Sequence, residues 1–158
     1  MTAQTNEKIT ILLADDHPVT RAGIRSVLSH TTDLEIVGEA QNGVEVQQMV
    51  SELSPRILLL DLRMPGLGPA KLETWVRENY PDTITLILTQ HDRDAYLAEM
   101  MDAGVAGYLV KNASTNQLLV AIRRAAKGDA LFTNEQIQRV YKWRKVVGQK
   151  WHSLTERE

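Results

Sequence analysis

Five short apolar runs, each followed by a stretch of helical periodicity, restrict this chain more than any other feature. The runs are ITILLA (9–14), LEIVGEA (34–40), RILLLD (56–61), TITLILT (83–89) and AGYLV (106–110). Residues 57–60 and 84–88 are almost unbroken Ile and Leu, which suits strands covered on both faces, as in a parallel sheet. Between the runs, Val19, Ala22, Val27 and Leu28 share one helical side, with Pro18 at the first helical position. Val46, Met49, Val50 and Leu53 do so over 44–53, and Leu72, Trp75 and Val76 over 70–79. Residues 94–103 predict a fourth helix closed by Gly104. Residues 114–127 predict a fifth, opened by a Ser114–Gln117 capping box, with Leu118, Leu119, Ile122 and Ala126 inward and Gly128 as its stop. Strands alternating with helices imply right-handed crossovers and an α/β, doubly wound five-stranded parallel sheet.

An appendage follows Gly128. Thr133 and Gln136 form a second capping box, which predicts a helix from there to about Val147, with Gly148 ending it. Thr155 and Glu158 repeat the capping spacing at the end of the sequence, which reads either as the start of a further helix or as a frayed tail. Charge divides along the same line. Residues 1–133 hold 12 Lys and Arg against 17 Asp and Glu, and residues 134–158 hold 6 against 3. The acidic part is a poor nucleic-acid surface. In the basic part, Arg139, Lys142, Arg144, Lys145 and Lys150 alternate with Val140, Tyr141, Trp143, Val146 and Val147. That helix is expected to act as a linker, with its aromatics on protein. Packing on its own domain and pairing with a second copy are the alternatives.

In a doubly wound sheet, ligands bind beyond the carboxyl ends of the strands. Strand one ends in Asp15-Asp16, strand three in Asp61, strand four in Thr89-Gln90 and strand five in Lys111. Three carboxylates, a hydroxyl and an ammonium therefore converge on one rim. Close carboxylates repel, and a hard divalent cation such as Mg2+ relieves the repulsion through oxygen ligands. One carboxylate can then attack a phosphoryl group to give an acyl phosphate, with the lysine and hydroxyl receiving its oxygens. Asp61, at the end of the most apolar strand and before the turn Leu62-Arg63-Met64-Pro65-Gly66, is the candidate nucleophile. Taken singly, Asp16 is equally a helix cap, Asp61 a loop cap and Lys111 a solvated surface lysine.

These residues resemble the receiver domain of two-component response regulators over residues 8–128. The motifs are ILLADDHPVTRAGI, LLLDLRMPG, ILT and GYLVK. The DDHP opening and the later LTERE resemble the NarL/FixJ-like subfamily with a LuxR-type helix-turn-helix output. The resemblance implies a flavodoxin-like sheet in the order 2-1-3-4-5. It also implies a disordered N-terminus over 1–7, a linker helix over 129–152 and, at 153–158, the start of an output domain. Asp15, Asp16, Asp61 and the Arg63 carbonyl would hold Mg2+. Asp61 would accept phosphate from a sensor histidine kinase, Thr89 and Lys111 would bind the phosphoryl group, and Thr89 and Tyr108 would act as the switch pair. Tyr108 is equally compatible with a half-buried aromatic on an edge strand. Homodimers on phosphorylation, and DNA contact only through the output domain, follow from the same likeness. Two positions depart from it: Gln90 stands where a small residue is usual, and Asn112 where many receivers carry proline.

Three other readings compete. A haloacid-dehalogenase-like phosphatase needs a second acid two residues after the nucleophile, where this chain has Arg63. A flavin-binding module would set an acidic rim against the FMN phosphate. A receiver that signals without phosphorylation is the third, and Gln90 keeps it open. With no cysteine, no apolar signal core in MTAQTNEK and no run approaching the ~18 residues of a membrane span, the chain reads as a cytoplasmic signalling module rather than an enzyme or a membrane protein.

Overall fold

The computed structural model describes residues 7–156, with side chains described over 7–150. The elements are β1 (Ile9–Ala14), α1 (Pro18–Ser29), β2 (Leu34–Ala40), α2 (Gly43–Leu53), β3 (Ile57–Leu60), α3 (Pro69–Asn79), β4 (Ile84–Thr89), α4 (Asp94–Ala103), β5 (Gly107–Val110), α5 (Thr115–Ala126) and α6 (Asn134–Glu156). The sheet is parallel throughout, in the order β2-β1-β3-β4-β5. It is the doubly wound, flavodoxin-like arrangement that the run pattern and the family likeness predict.

Strand alternation divides the core in two. Leu12, Ala14, Leu58, Leu60 and Ile87 face one side, packed with Val46, Val50, Leu72, Val76, Leu97 and Met100 from α2, α3 and α4. Ile11, Leu13, Ile57, Leu59 and Leu86 face the other, with Ile24, Leu28, Leu118 and Ile122 from α1 and α5. Each fully buried Leu, Ile, Val or Met among them contributes about 1.5–3 kcal/mol. Gly104 closes α4 at φ +107°, and the Ser114–Gln117 capping box opens α5 as expected. Among the described residues no helix is long and apolar enough to cross a membrane.

The structure corrects three local expectations. The buried side of α1 runs through Ile24 and Leu28, while Val19 is 86% exposed and Ala22 faces solvent. At 3.6 residues per turn Val19 stands about 180° around the helix from Leu28, so the two cannot share a buried face. Gly148 does not end α6, which continues to Glu156. A glycine stops a helix by adopting a left-handed conformation, and Gly148 does not adopt it. As an interior residue it costs only about 1 kcal/mol. Thr155 lies inside α6, and Glu158, like residues 1–6, lies outside the described residues. Finally, Tyr108 is buried rather than half-buried.

α6 packs on its own domain, against α4. The Thr133–Gln136 box opens it, Val140 is buried in the α2–α4 cluster, and Trp143 packs against that cluster. Arg139 bridges Asp92 and Asp94 at 2.7 Å each, and Arg144 pairs with Asp102. Gln136 Nε2 donates to the Tyr108 carbonyl at 2.9 Å.

One buried carboxylate lies far from the rim. Glu73 of α3 is fully buried in ion-pair contact with Arg77 at 2.7 Å. Burial pushes its carboxyl above the ordinary value, and Thr85 and Arg77 offset this only in part. A raised acid stabilises the fold below its unfolded pKa and loses that contribution as pH rises through the folded one. Glu73→Gln is therefore expected to exceed the native chain in stability at about pH 8. The advantage should shrink as pH falls through the raised folded pKa and be gone by the ordinary value of 4.5. Urea midpoints across that range test it, and a constant difference between the two proteins would count against it.

Candidate functional site

The carboxyl ends of β1, β3, β4 and β5 meet at one rim, and parallel register aligns them. Ala14 pairs with Leu60, Leu60 with Ile87, and Thr89 with Val110. Asp15 and Asp61 therefore emerge at the same height, with Thr89 one residue and Lys111 two residues further along the register. Asp61 N–H donates to the Ala14 carbonyl at 2.9 Å, and Lys111 N–H to the Thr89 carbonyl at 2.7 Å. The turn after Asp61 is fixed by Gly66. Its φ of +106° lies where side chains are disfavoured, and a Cβ there would stand 3.3 Å from the Gly43 nitrogen.

Asp15 and Asp61 are both buried at this rim. Lys111 Nζ lies 2.8 Å from Asp15 Oδ2 and 3.5 Å from Asp61 Oδ2. The two carboxyls are pushed in opposite directions. Burial acts to raise Asp15, but the Lys111 ammonium and the His17 N–H groups outweigh it and hold the group low. Burial raises Asp61 and the neighbouring Asp15 adds to this, so Lys111 and the Arg63 backbone N–H do not bring it back. Asp61 Oδ2 is buried without a hydrogen-bond partner. Asp16 is not the cap of α1, since His17 occupies that position. Its carboxylate points into the same cluster. Asp15, Asp16, His17 and Asp61 each place a ligand atom within 4.8 Å of the others.

Thr89 is fully buried, and its Oγ1 accepts the His91 N–H at 3.1 Å. The Tyr108 hydroxyl donates to the His91 carbonyl. Burial, with Asp92 nearby, pushes the Tyr108 phenol up to about 12, so it stays protonated as a donor. Gln90 is exposed beside the rim, and the described backbone is trans throughout, including the bond between Lys111 and Asn112.

The structure thus brings Asp15, Asp16, Asp61 and Lys111 together. Thr89 ends the neighbouring strand, and Tyr108 lies one layer below. Arg63 follows Asp61 in the exposed turn. Sequence reasoning passed over His17, whose Nδ1 lies 2.9 Å from Asp15 Oδ1, 3.0 Å from Asp16 Oδ1 and 3.7 Å from Asp61 Oδ2. Its signal was position alone. It sits between a strand-end acidic pair and a proline that starts a helix, so its side chain has to emerge at the rim.

The residues fit a hard divalent cation. All three acidic side chains offer oxygen, two buried oxygens (Asp16 Oδ1 and Asp61 Oδ2) have no hydrogen-bond partner, and the Lys111 ammonium reaches two of the three carboxylates. When all are ionised, about two negative charges are left unbalanced.

Residues 11–123 match the response regulator receiver domain. Oxygen regulatory protein NreC of Staphylococcus aureus is 42% identical over 120 residues, covering 75% of this chain and 55% of that protein. The chain thus spans about half the length of such relatives. The signal receiver domain of NarL from Mycobacterium tuberculosis superposes with a TM-score of 0.74 at 33% identity, over 77% of this chain and 98% of that one. A LuxR-family two-component response regulator from Aurantimonas sp. SI85-9A1 superposes at 0.78 with 28% identity, over 87% and 99%.

Proposed function

This chain belongs to the response regulator receiver domain family, a family of signalling modules, and on that premise we propose that it accepts a phosphoryl group on Asp61 from a sensor histidine kinase. The observation that carries the reading is the unpartnered, buried Oδ2 of Asp61, 3.5 Å from the Lys111 ammonium. An Asp61 oxygen attacks phosphorus, the phosphorus–nitrogen bond of the donor histidine breaks, and an acyl phosphate remains. Lys111 and the Thr89 hydroxyl receive the new phosphoryl oxygens. Asp15, Asp16, Asp61 and the Arg63 carbonyl would hold Mg2+. When bound, the ion supplies Lewis-acid stabilisation of the transferring group and offsets the acidic cluster.

The readout runs through Thr89 and Tyr108. Drawing the Thr89 side chain toward a phosphoryl group competes with its contact to His91, and His91 in turn holds Tyr108. The α4–β5–α5 surface then has two arrangements whose populations phosphorylation shifts. We assign residues 8–128 to this receiver and 129–152 to a linker. The NarL and LuxR-family likenesses support a helix-turn-helix output beyond it, through which DNA contact and phosphorylation-dependent dimerisation would be exerted in the cytoplasm.

A beryllofluoride titration with Mg2+ tests the pocket. Saturable binding that disappears on omitting Mg2+ is expected. A chain that folds but binds none would instead favour signalling without phosphorylation, with exposed Gln90 the first residue to examine.

A further inference from the structure

We infer that His17 is a ligand of the divalent cation and the residue that sets which metal this rim prefers. The inference rests on the cation site proposed above. Neighbouring ligands around an octahedral ion with bonds of about 2.1 Å stand about 3.0 Å apart, the edge of that octahedron. His17 Nδ1 stands 2.9 Å from an Asp15 oxygen and 3.0 Å from an Asp16 oxygen. Both separations equal that edge. The third, 3.7 Å to Asp61, lies between the edge and the diagonal and closes with a small ring movement. That movement is open to it, because the His17 side chain is 53% exposed.

The carboxylates do not carry the inference alone. Asp61 Oδ2, buried and unpartnered, is directed into the same space as Nδ1. His17 has one competing contact, the hydrogen bond of its Nδ1 with Asp15 Oδ1 at 2.9 Å, which ligation would replace. It occupies the N-cap of α1 but makes no side-chain capping bond. Its backbone N–H donates to Asp15 Oδ1 at 2.8 Å, which fixes the residue against the acidic pair whatever the ring does.

The chemistry follows from donor type. Carboxylate, carbonyl and water oxygens suit Mg2+, whereas an imidazole nitrogen favours first-row transition ions. A rim of oxygens with one neutral imidazole therefore gains affinity for Mn2+ or Co2+ over Mg2+. Ligation needs the tautomer with its proton on Nε2, leaving the Nδ1 lone pair free.

The test compares the native chain with His17→Ala, both shown to fold by thermal melting. Mg2+ and Mn2+ dissociation constants are measured calorimetrically, and nitrogen coupling to bound Mn2+ by pulsed electron paramagnetic resonance. The native chain is expected to show a nitrogen coupling that His17→Ala lacks. The Mn2+ over Mg2+ preference should fall about tenfold in the variant, with Mg2+ affinity changed less than about threefold. Bound Mn2+ without nitrogen coupling, an unchanged preference, or a variant that binds Mg2+ more tightly overturns the assignment while sparing the oxygen site. A native chain that binds neither ion overturns the cation site itself, and this inference with it.

Discussion

Asp61→Asn is expected to take up no acid-labile phosphate from a small phosphodonor with Mg2+, under conditions that label the native chain fully. An amide offers no carboxylate oxygen to phosphorus, and of the other rim carboxylates Asp15 is engaged by Lys111 and His17 while Asp16 is only partly buried. The same variant should be more stable than the native chain in metal-free buffer at neutral pH, by about 1–3 kcal/mol. The sign follows from Asp61 being pushed up by burial and by Asp15. Its ionised form costs stability once pH rises through the folded pKa, and an amide removes that cost. Mg2+ should then stabilise the native chain more than the variant, because a ligand stabilises the state that binds it. Undiminished phosphate on the variant would sink the assignment of the nucleophile. A variant less stable than the native chain without metal would sink the electrostatic account.

The second large effect lies at α6. Val140→Asp is expected to release that helix from α4 while leaving the sheet intact. Val140 is 1% exposed, within the cluster that includes Leu97, Met100 and Tyr108. An unpaired buried charge costs several kcal/mol, more than the surface ion pairs of Arg139 and Arg144 recover at up to about 1 kcal/mol each. Amide exchange over 134–150 should accelerate at least about 100-fold, with Trp143 emission shifting to the red and the β3 amides unchanged. Ile137→Asp or Tyr141→Asp, 48% and 57% exposed, should change stability by no more than about 0.5 kcal/mol. Loss of β3 protection in Val140→Asp would show that α6 is part of the receiver's own core instead.

The strands and the rim were legible in the sequence for one reason. A parallel strand buried on both faces must be apolar along its length, so its first polar residue marks its carboxyl end. Asp15, Asp61 and Lys111 were each found that way, whereas Thr89 closes a strand that already holds Thr85. Features set by tertiary surroundings were not legible. Val19 has an apolar side chain but is exposed, on the side of α1 opposite Leu28, and its hydrophobicity alone misled. Glu73 sits among helix-surface residues in sequence, and only the placement of Thr85 and Arg77 gives it a buried role. Gly148 carried a stop signal that depends on a backbone conformation it does not adopt. His17 was hidden by the stronger signal of the two aspartates before it.

The chain of contacts from Thr89 through His91 and Tyr108 to Gln136 is only four residues long. Thermodynamic linkage makes such a chain indifferent to direction. If a phosphoryl group on Asp61 changes the free energy of seating α6, then seating or unseating α6 changes the free energy of holding that phosphoryl group by the same amount. A protein or nucleic acid that captures the far end of α6 would therefore alter the equilibrium phosphate occupancy of the rim without touching it, and the module could report on its own output as well as on its kinase.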